Sequence, residues 1–252
     1  MNTGTRLSIA GGAFCLALAL AGLRLFAAED ARASDRGDLW RVVHDLCAPM
    51  QKFVGLPAPC LKVDRERGFA VVRAPYDTTR ILVAPTRRIE GVESPLLLRP
   101  DAPRLWSHAW ENREKVSAAA NRPLSWADLG MAVNSRAARS QDQLHIHVDC
   151  VDARLKRALR AHPPRRDGWS ALDLSWADRY RAKRIAPKDL DRNIFRMVAD
   201  EIPGAKGRMG QESLAVVGYE APSGEQGFVV LAAGGGGHAE ELLDRQCRGE
   251  RR

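Results

Sequence analysis

The chain has 252 residues, 45% hydrophobic and 28% charged, which is room for one large domain or two small ones around a real core and excludes a disordered or fibrous protein. A net charge of +8 points to an anionic partner. The basic residues are scattered among acids, however, which argues against nucleic acid and reads mostly as solvated surface.

The first element is an apolar run from Leu7 to Leu23, preceded by Arg6 and followed by Arg24. At about 17 residues it lies at the lower edge of a membrane-spanning helix, so it reads as a signal anchor or a signal peptide. Ala31-Arg32-Ala33 has the form of a cleavage site, with Phe26-Ala27-Ala28 a weaker one, and cleavage or retention is left open. Residues 1–33 are therefore expected to be a leader or anchor plus linker, and residues 34–252 an exported domain. Cysteine usage agrees with export. Cys15 lies in the apolar run, leaving Cys47, Cys60, Cys150 and Cys247, an even number that suggests two disulfides. Of three possible pairings, Cys47–Cys60 with Cys150–Cys247 is preferred, because each then ties a peripheral segment to something ordered. Zinc binding by these four is disfavoured, since no pair has the close spacing of zinc ligands.

Leu39, Trp40, Val43 and Leu46 predict a helix over residues 38–47. Residues 68–73 and 80–85 are short β-type runs around a turn with Pro75 and Asp77, an antiparallel hairpin. Residues 103–120 read as one helix with Leu105, Trp106, Ala109, Trp110 and Val116 on its core side. Strands follow at 129–133 and 144–149, joined by a polar loop rich in Ser, Asn, Arg and Gln, where a phosphate site is natural. A basic helix is expected over 151–162 and another helix over 190–201. A hairpin of 214–217 with 227–232, a glycine loop at 234–237 and a last helix over 239–245 complete the chain. This order implies an α+β fold with an antiparallel sheet. Its second half echoes the first only loosely, which leaves internal duplication open.

Chemistry concentrates in Gln143-Leu144-His145-Ile146-His147. Alternation on a strand sends Gln143, His145 and His147 to one face and Leu144, Ile146 and Val148 to the other. A neutral imidazole suits attack on a phosphorus shielded by negative oxygens, because it later departs as a good leaving group. Asn134, Ser135, Arg136, Arg139 and Ser140 lie close enough in the chain to hold the phosphoryl oxygens. His-x-His is also a metal-ligand spacing, which keeps a metal-dependent phosphoesterase in play with Asp142, Asp149 or a distant His as third ligand. His44, His108, His162 and His238 are isolated and read as surface or packing residues. Trp106 and Trp110 read as core, Arg87 and Arg88 as a plausible fork for a phosphate or headgroup, and the glycine loop as no Walker-type site.

Gln143 to His147 resembles the histidine-triad superfamily motif, in which the middle histidine attacks a nucleotide α-phosphate. Ser140, five residues before His145, matches that superfamily's phosphate-contacting serine. Residues 85–98, 106–113 and 132–150 are similar to one branch, the CDP-diacylglycerol pyrophosphatases, as are the apolar N-terminus and Cys247. The resemblance implies hydrolysis of CDP-diacylglycerol to CMP and phosphatidate through a nucleotidyl-histidine, at a membrane surface and without a cofactor. It implies His145 as nucleophile, His147 as its catalytic neighbour, and Ser140 and Asn134 as phosphate contacts, to which the donor groups of Gln143 and Arg139 add two more candidates. Gln143 stands where the superfamily has its first histidine, so the proton donor to the leaving group is left unassigned. Other nucleotide pyrophosphates are the alternative substrates, and the oligomeric state is not indicated.

Overall fold

A computed structural model describes residues 35–221 and 223–248. The apolar run, Cys15 and the candidate cleavage sites lie outside the described residues. Among those described, no helix is long and apolar enough to cross a membrane. The described strands and helices all belong to one compact unit that begins at Arg36.

Ten strands form one antiparallel sheet: β1 (Lys62–Asp64), β2 (Phe69–Arg73), β3 (Ile81–Pro85), β4 (Leu129–Val133), β5 (Ile146–Val151), β6 (Ser170–Asp173), β7 (Arg179–Ile185), β8 (Ser213–Glu220), β9 (Gln226–Ala233) and β10 (Leu243–Asp244). Their order is β1-β2-β3-β5-β4-β8-β9-β7-β6, with β10 added to β5. The helices are α1 (Asp38–Arg41), continued through a π-helical turn (Val42–Cys47) into α2 (Ala48–Phe53), then α3 (Leu105–Glu111), α4 (Glu114–Ala119), α5 (Ala153–Ala161) and α6 (Ile194–Glu201). The chain is thus α+β, as its pattern of runs implies. The connectivity strand, strand, helix, strand, strand occurs twice, giving side-by-side orders β2-β3-β5-β4 and β6-β7-β9-β8 that meet at the β4–β8 pair.

The sheet has two unlike faces. On one, α3, α4 and α6 bury Leu105, Trp106, Trp110, Phe195 and Val198 against Val83, Met131, Ile146, Val148, Val216 and Val230. This is the main core, and both tryptophans belong to it as expected. The opposite face carries two separate apolar clusters. Leu39, Val43 and Cys47 cover Ala70, Leu82 and Ala84 at one end. Leu155 and Leu159 of α5, with Leu242, cover Ala132, Ala215, Val217, Val229 and Leu231 at the other.

Two expected elements differ, and two strands were not expected. The helix over 103–120 is two helices, because the Asn112 side chain donates to the His108 carbonyl at 2.8 Å and ends the first. The expected last helix is a 3-10 turn (Ala239–Leu242) followed by β10, since Leu243 and Asp244 pair with Val151 and Cys150. Residues 170–173 and 179–185, which no sequence signal singled out, form the outer strands β6 and β7.

Disulfides join Cys47 to Cys60 and Cys150 to Cys247, the preferred pairing. They span 13 and 97 residues. Loop-closure entropy then predicts unequal contributions, about 3 kcal/mol for the short loop and about 4–5 kcal/mol for the long one. Paired Cys→Ser replacements compared by chemical denaturation test this; equal losses would speak against the entropic account.

Candidate active site

His145 immediately precedes β5, and His147 is its second residue. Their rings meet edge to face, with centroids 4.7 Å apart. His147 lies opposite Leu82 on β3 and Ala132 on β4, residues of the two apolar clusters on that face. The histidines therefore occupy the polar valley between those clusters. On β9, the residues facing the same way include Val229 and Leu231, buried in apolar packing. Only the first half of the repeated connectivity carries the histidines.

A local bond fixes the tautomer of His145, and burial sets the charge of both rings. His145 Nδ1 lies 2.7 Å from the Gln143 carbonyl oxygen. A carbonyl only accepts, so Nδ1 carries the proton and Nε2 keeps a free lone pair. Burial pushes the His145 pKa below its ordinary value, only partly opposed by that bond and by Glu240. Burial pushes His147 well below its ordinary value, helped by His145 and the charges of Arg80 and Arg245. Both imidazoles are thus neutral at pH 7.

Gln143 is fully buried and holds the chain that leaves β3. Its Nε2 donates to the carbonyls of Pro85 at 2.8 Å and Arg87 at 3.0 Å, and its Oε1 accepts from the Ile89 amide at 3.3 Å. Both amide protons face backbone carbonyls, and the Gln143 main-chain carbonyl holds His145. Arg139 is similarly engaged, with Nη1 2.7 Å from Glu93 Oε2 and Nε 3.0 Å from Asp142 Oδ1. Gly91 permits that arrangement, since a Cβ there would lie 2.1 Å from Arg139 Nη1. Two arginines, Arg36 foremost, hold the Asp142 carboxyl pKa at about 2. Ser140 is exposed on the same loop, and Arg87 and Arg88 are exposed beyond β3. His108 is buried and stacked on Phe69, a packing residue as expected.

Asn134 leads to residues that local sequence reading missed. Its Nδ2 donates to Glu240 Oε1 at 3.1 Å, and its Oδ1 accepts from the Glu240 amide at 3.1 Å. Glu240 Oε2 in turn lies 2.7 Å from Arg80 Nη1 and 3.6 Å from His147 Nδ1. Arg80, only 1% exposed, places Nε 3.2 Å from Oδ2 of the fully buried Asp149. Thr79 Oγ1 donates to Asp149 Oδ1 at 2.7 Å. Burial nonetheless outweighs these partners and raises the Asp149 pKa to about 6. The 3-10 turn of residues 239–242, far along the chain from β5, thus closes the valley with an acid–arginine–acid chain behind His147. The signal in the sequence was no more than single charged residues beside apolar runs, which are common on any surface.

His145, Asn134, Arg139, Gln143 and Gly91 line a pocket of about 10 Å³, room for no more than a water molecule. A wider cleft of about 650 Å³ begins at Glu93, Arg136 and Ala137 and continues along residues 206–211, where Lys206 and Arg208 make it basic. For a metal, the described residues gather Asp149 with Cys150 and Cys247, but both sulfurs are joined in a disulfide and cannot act as thiolate ligands. That grouping includes neither site histidine.

Residues 34–251 match the family model described as CDP-diacylglycerol pyrophosphatase. The chain is 35% identical to the CDP-diacylglycerol pyrophosphatase of Yersinia pestis over 227 residues, 86% of each chain. It is 33% identical to the probable CDP-diacylglycerol pyrophosphatase of Mycobacterium leprae (strain TN) over 221 residues, 85% of this chain and 81% of that one. With the family model spanning the whole described domain and two relatives matching at this level, the chain belongs to the CDP-diacylglycerol pyrophosphatase family.

Proposed function

We propose that this protein hydrolyses the pyrophosphate of CDP-diacylglycerol to CMP and phosphatidate, with His145 as nucleophile. The observation that carries the mechanism is the 2.7 Å contact between His145 Nδ1 and the Gln143 carbonyl, which leaves Nε2 unprotonated. In this reading Nε2 attacks the cytidine-bearing phosphorus. A bond forms from nitrogen to phosphorus, and the bridging oxygen leaves with phosphatidate. Water then attacks the same phosphorus, its proton is released, and CMP departs as Nε2 regains its lone pair. Phosphatidate is a weakly basic leaving group, which lessens the need for a general acid in a site with two neutral imidazoles.

The wider picture belongs to the same proposal. The repeated strand–strand–helix–strand–strand connectivity supports a histidine-triad-like fold with a degenerate second half. The two disulfides support a domain outside the cytoplasm, and the apolar run at residues 7–23 supports a tether or leader in the inner membrane. Ser140, exposed on the loop, takes a phosphoryl oxygen in this reading. Arg139, Gln143 and Asn134 act by shaping the loop around His145.

Acid quenching during turnover tests the mechanism. Label in the cytidine half should appear on the protein as an acid-labile adduct, and label in the lipid half should not. Lipid label on the protein, or chelator-sensitive turnover without any adduct, overturns it in favour of other chemistry at these histidines. Comparison with soluble CDP-alcohols and other nucleotide pyrophosphates decides the substrate.

The pH profile follows from the His145 shift. The folded value lies below the ordinary 6.5, so Nε2 stays free as pH falls through 6.5 and is protonated only at lower pH. The acid limb of kcat/KM should therefore fall below pH 6.5. Stability runs the same way, since a histidine buried neutral favours the fold above its unfolded pKa and loses that contribution below it.

A further inference from the structure

The N-terminal helical segment uses one stripe for the core and leaves another bare. Leu39, Val43 and Cys47, four residues apart, are buried against the sheet. Leu46, Phe53, Val54, Leu56 and Leu61 are exposed, Phe53 to 76%. Among the described residues only six large hydrophobics are exposed in this way, and these five fall within sixteen consecutive positions. Such concentration separates them from the scattered apolar residues of any surface. They are also held in place. The Cys47–Cys60 disulfide closes the segment, and Gly55, at φ +76°, turns the chain after α2.

Three observations say what covers it. The Lys52 ammonium lies 4.9 Å over the Phe53 ring, which sets a cation at the edge of the apolar tip. That pattern suits a bilayer bearing anionic headgroups. The patch also belongs to the described segment nearest in sequence to the apolar run Leu7–Leu23, with residues 24–37 between them. Finally, its helix is bolted to the catalytic loop. Gln141 Oε1 accepts from the Leu39 amide at 2.8 Å, the Asp142 amide donates to the Arg36 carbonyl, and Leu82 beneath the segment is the register partner of His147.

We infer that the disulfide-bound tip of residues 46–61 docks on the surface of an anionic lipid bilayer and so presents the histidine face to a lipid-borne pyrophosphate. The inference rests on the substrate reading above for its purpose, though not for its geometry. It concerns a second contact with the membrane, separate from the apolar N-terminus.

The full chain with Phe53→Trp, bound to phosphatidylcholine–phosphatidylglycerol vesicles brominated at defined acyl carbons, tests the geometry. Emission in excess of the parent should be quenched, and most by the shallowest bromines. The triple variant Phe53→Ser, Val54→Ser, Leu56→Ser tests the consequence. Losing three apolar contacts should lower hydrolysis of vesicle-borne CDP-diacylglycerol by about tenfold or more. Hydrolysis of a soluble short-chain analogue should stay within about twofold, because these side chains are outside the core. A tryptophan at position 53 that is not quenched, or a triple variant with full activity on vesicles, overturns the inference. So does a parent that sediments as a dimer where the triple variant is a monomer, since a second copy then covers the patch. A parent that hydrolyses neither lipid nor analogue refutes the substrate reading instead, and the quenching still decides the docking.

Discussion

The His145→Ala protein is expected to lose about a thousandfold or more in kcat on CDP-diacylglycerol, to form no labelled adduct, and to remain folded. The size follows from what the ring supplies. It is the neutral side chain in the valley whose tautomer is set by a backbone carbonyl, whereas His147 Nδ1 has no such partner to set its tautomer. Cys150 is in a disulfide, and Asp149 is buried behind Thr79 and Arg80. The structural cost is smaller. His145 makes its bond to a single carbonyl, so alanine leaves one acceptor unpaired, about 1–3 kcal/mol if no water enters. The His147→Ala protein should fall by less and still form the adduct, because His147 packs on the nucleophile without being it. A His145→Ala enzyme within tenfold of the parent would sink the assignment. Equal losses in both variants, restored by added metal, would instead favour a metal site built on the pair.

How far these roles were legible in the sequence differs from residue to residue. Alternation placed His145 and His147 on one face, and their rings do meet, although the strand expected over 144–149 begins only at Ile146 and leaves His145 just before it. The buried runs of β2, β3, β4, β8 and β9 were equally plain, because strands packed on both faces are apolar throughout. Arg179 to Ile185 was not, since it lies outside β9 and alternates buried Tyr180 and Ala182 with exposed arginines. Its period of two was present but diluted by charge. Gln143 shows a different limit. Its residue type suggested a phosphate donor, whereas its partners are carbonyls 58 and 56 residues earlier that only the β3–β5 pairing brings near. Glu240 was beyond reach for the same reason. It approaches Arg80 and Asn134 because β10 adds to β5 and Cys247 is tied to Cys150, two long-range constraints that no local pattern encodes. Local physics gives strands and faces; the groups that tune the site come from crossings of distant chain.

The Arg80→Met protein should be destabilised by about 3–5 kcal/mol at pH 8, and clearly less at pH 5. Methionine fills much of the volume, so the effect isolates charge. Arg80 stands between two carboxylates, 3.2 Å from Asp149 Oδ2 and 2.7 Å from Glu240 Oε2, and its own side chain is 1% exposed. Removing it at pH 8 leaves Asp149 ionised and fully buried without its cation, or forces it to take up a proton. The second course costs about 1.4 kcal/mol for each pH unit above the carboxyl's pKa. The sign of the pH effect comes from that group. Its folded pKa, about 6, lies above the ordinary carboxylate value. Asp149 therefore favours the fold most at low pH, and that contribution declines as pH rises through about 6. At pH 5 the carboxyl is already largely protonated in the parent, and losing Arg80 then removes hydrogen bonds and the Glu240 contact rather than a whole countercharge. Urea denaturation of parent and variant at the two pH values reads the difference directly; a loss equal at both would mean that packing, not charge, is what Arg80 supplies. Activity reports the other arm of the chain. Freed of Arg80, Glu240 loses its shortest contact and keeps only Asn134 and the more distant Arg245 to hold its carboxylate near His147. Adding Asp149→Leu to Arg80→Met should recover part of the stability by removing the stranded charge, while leaving Glu240 without its closest cation and turnover still low.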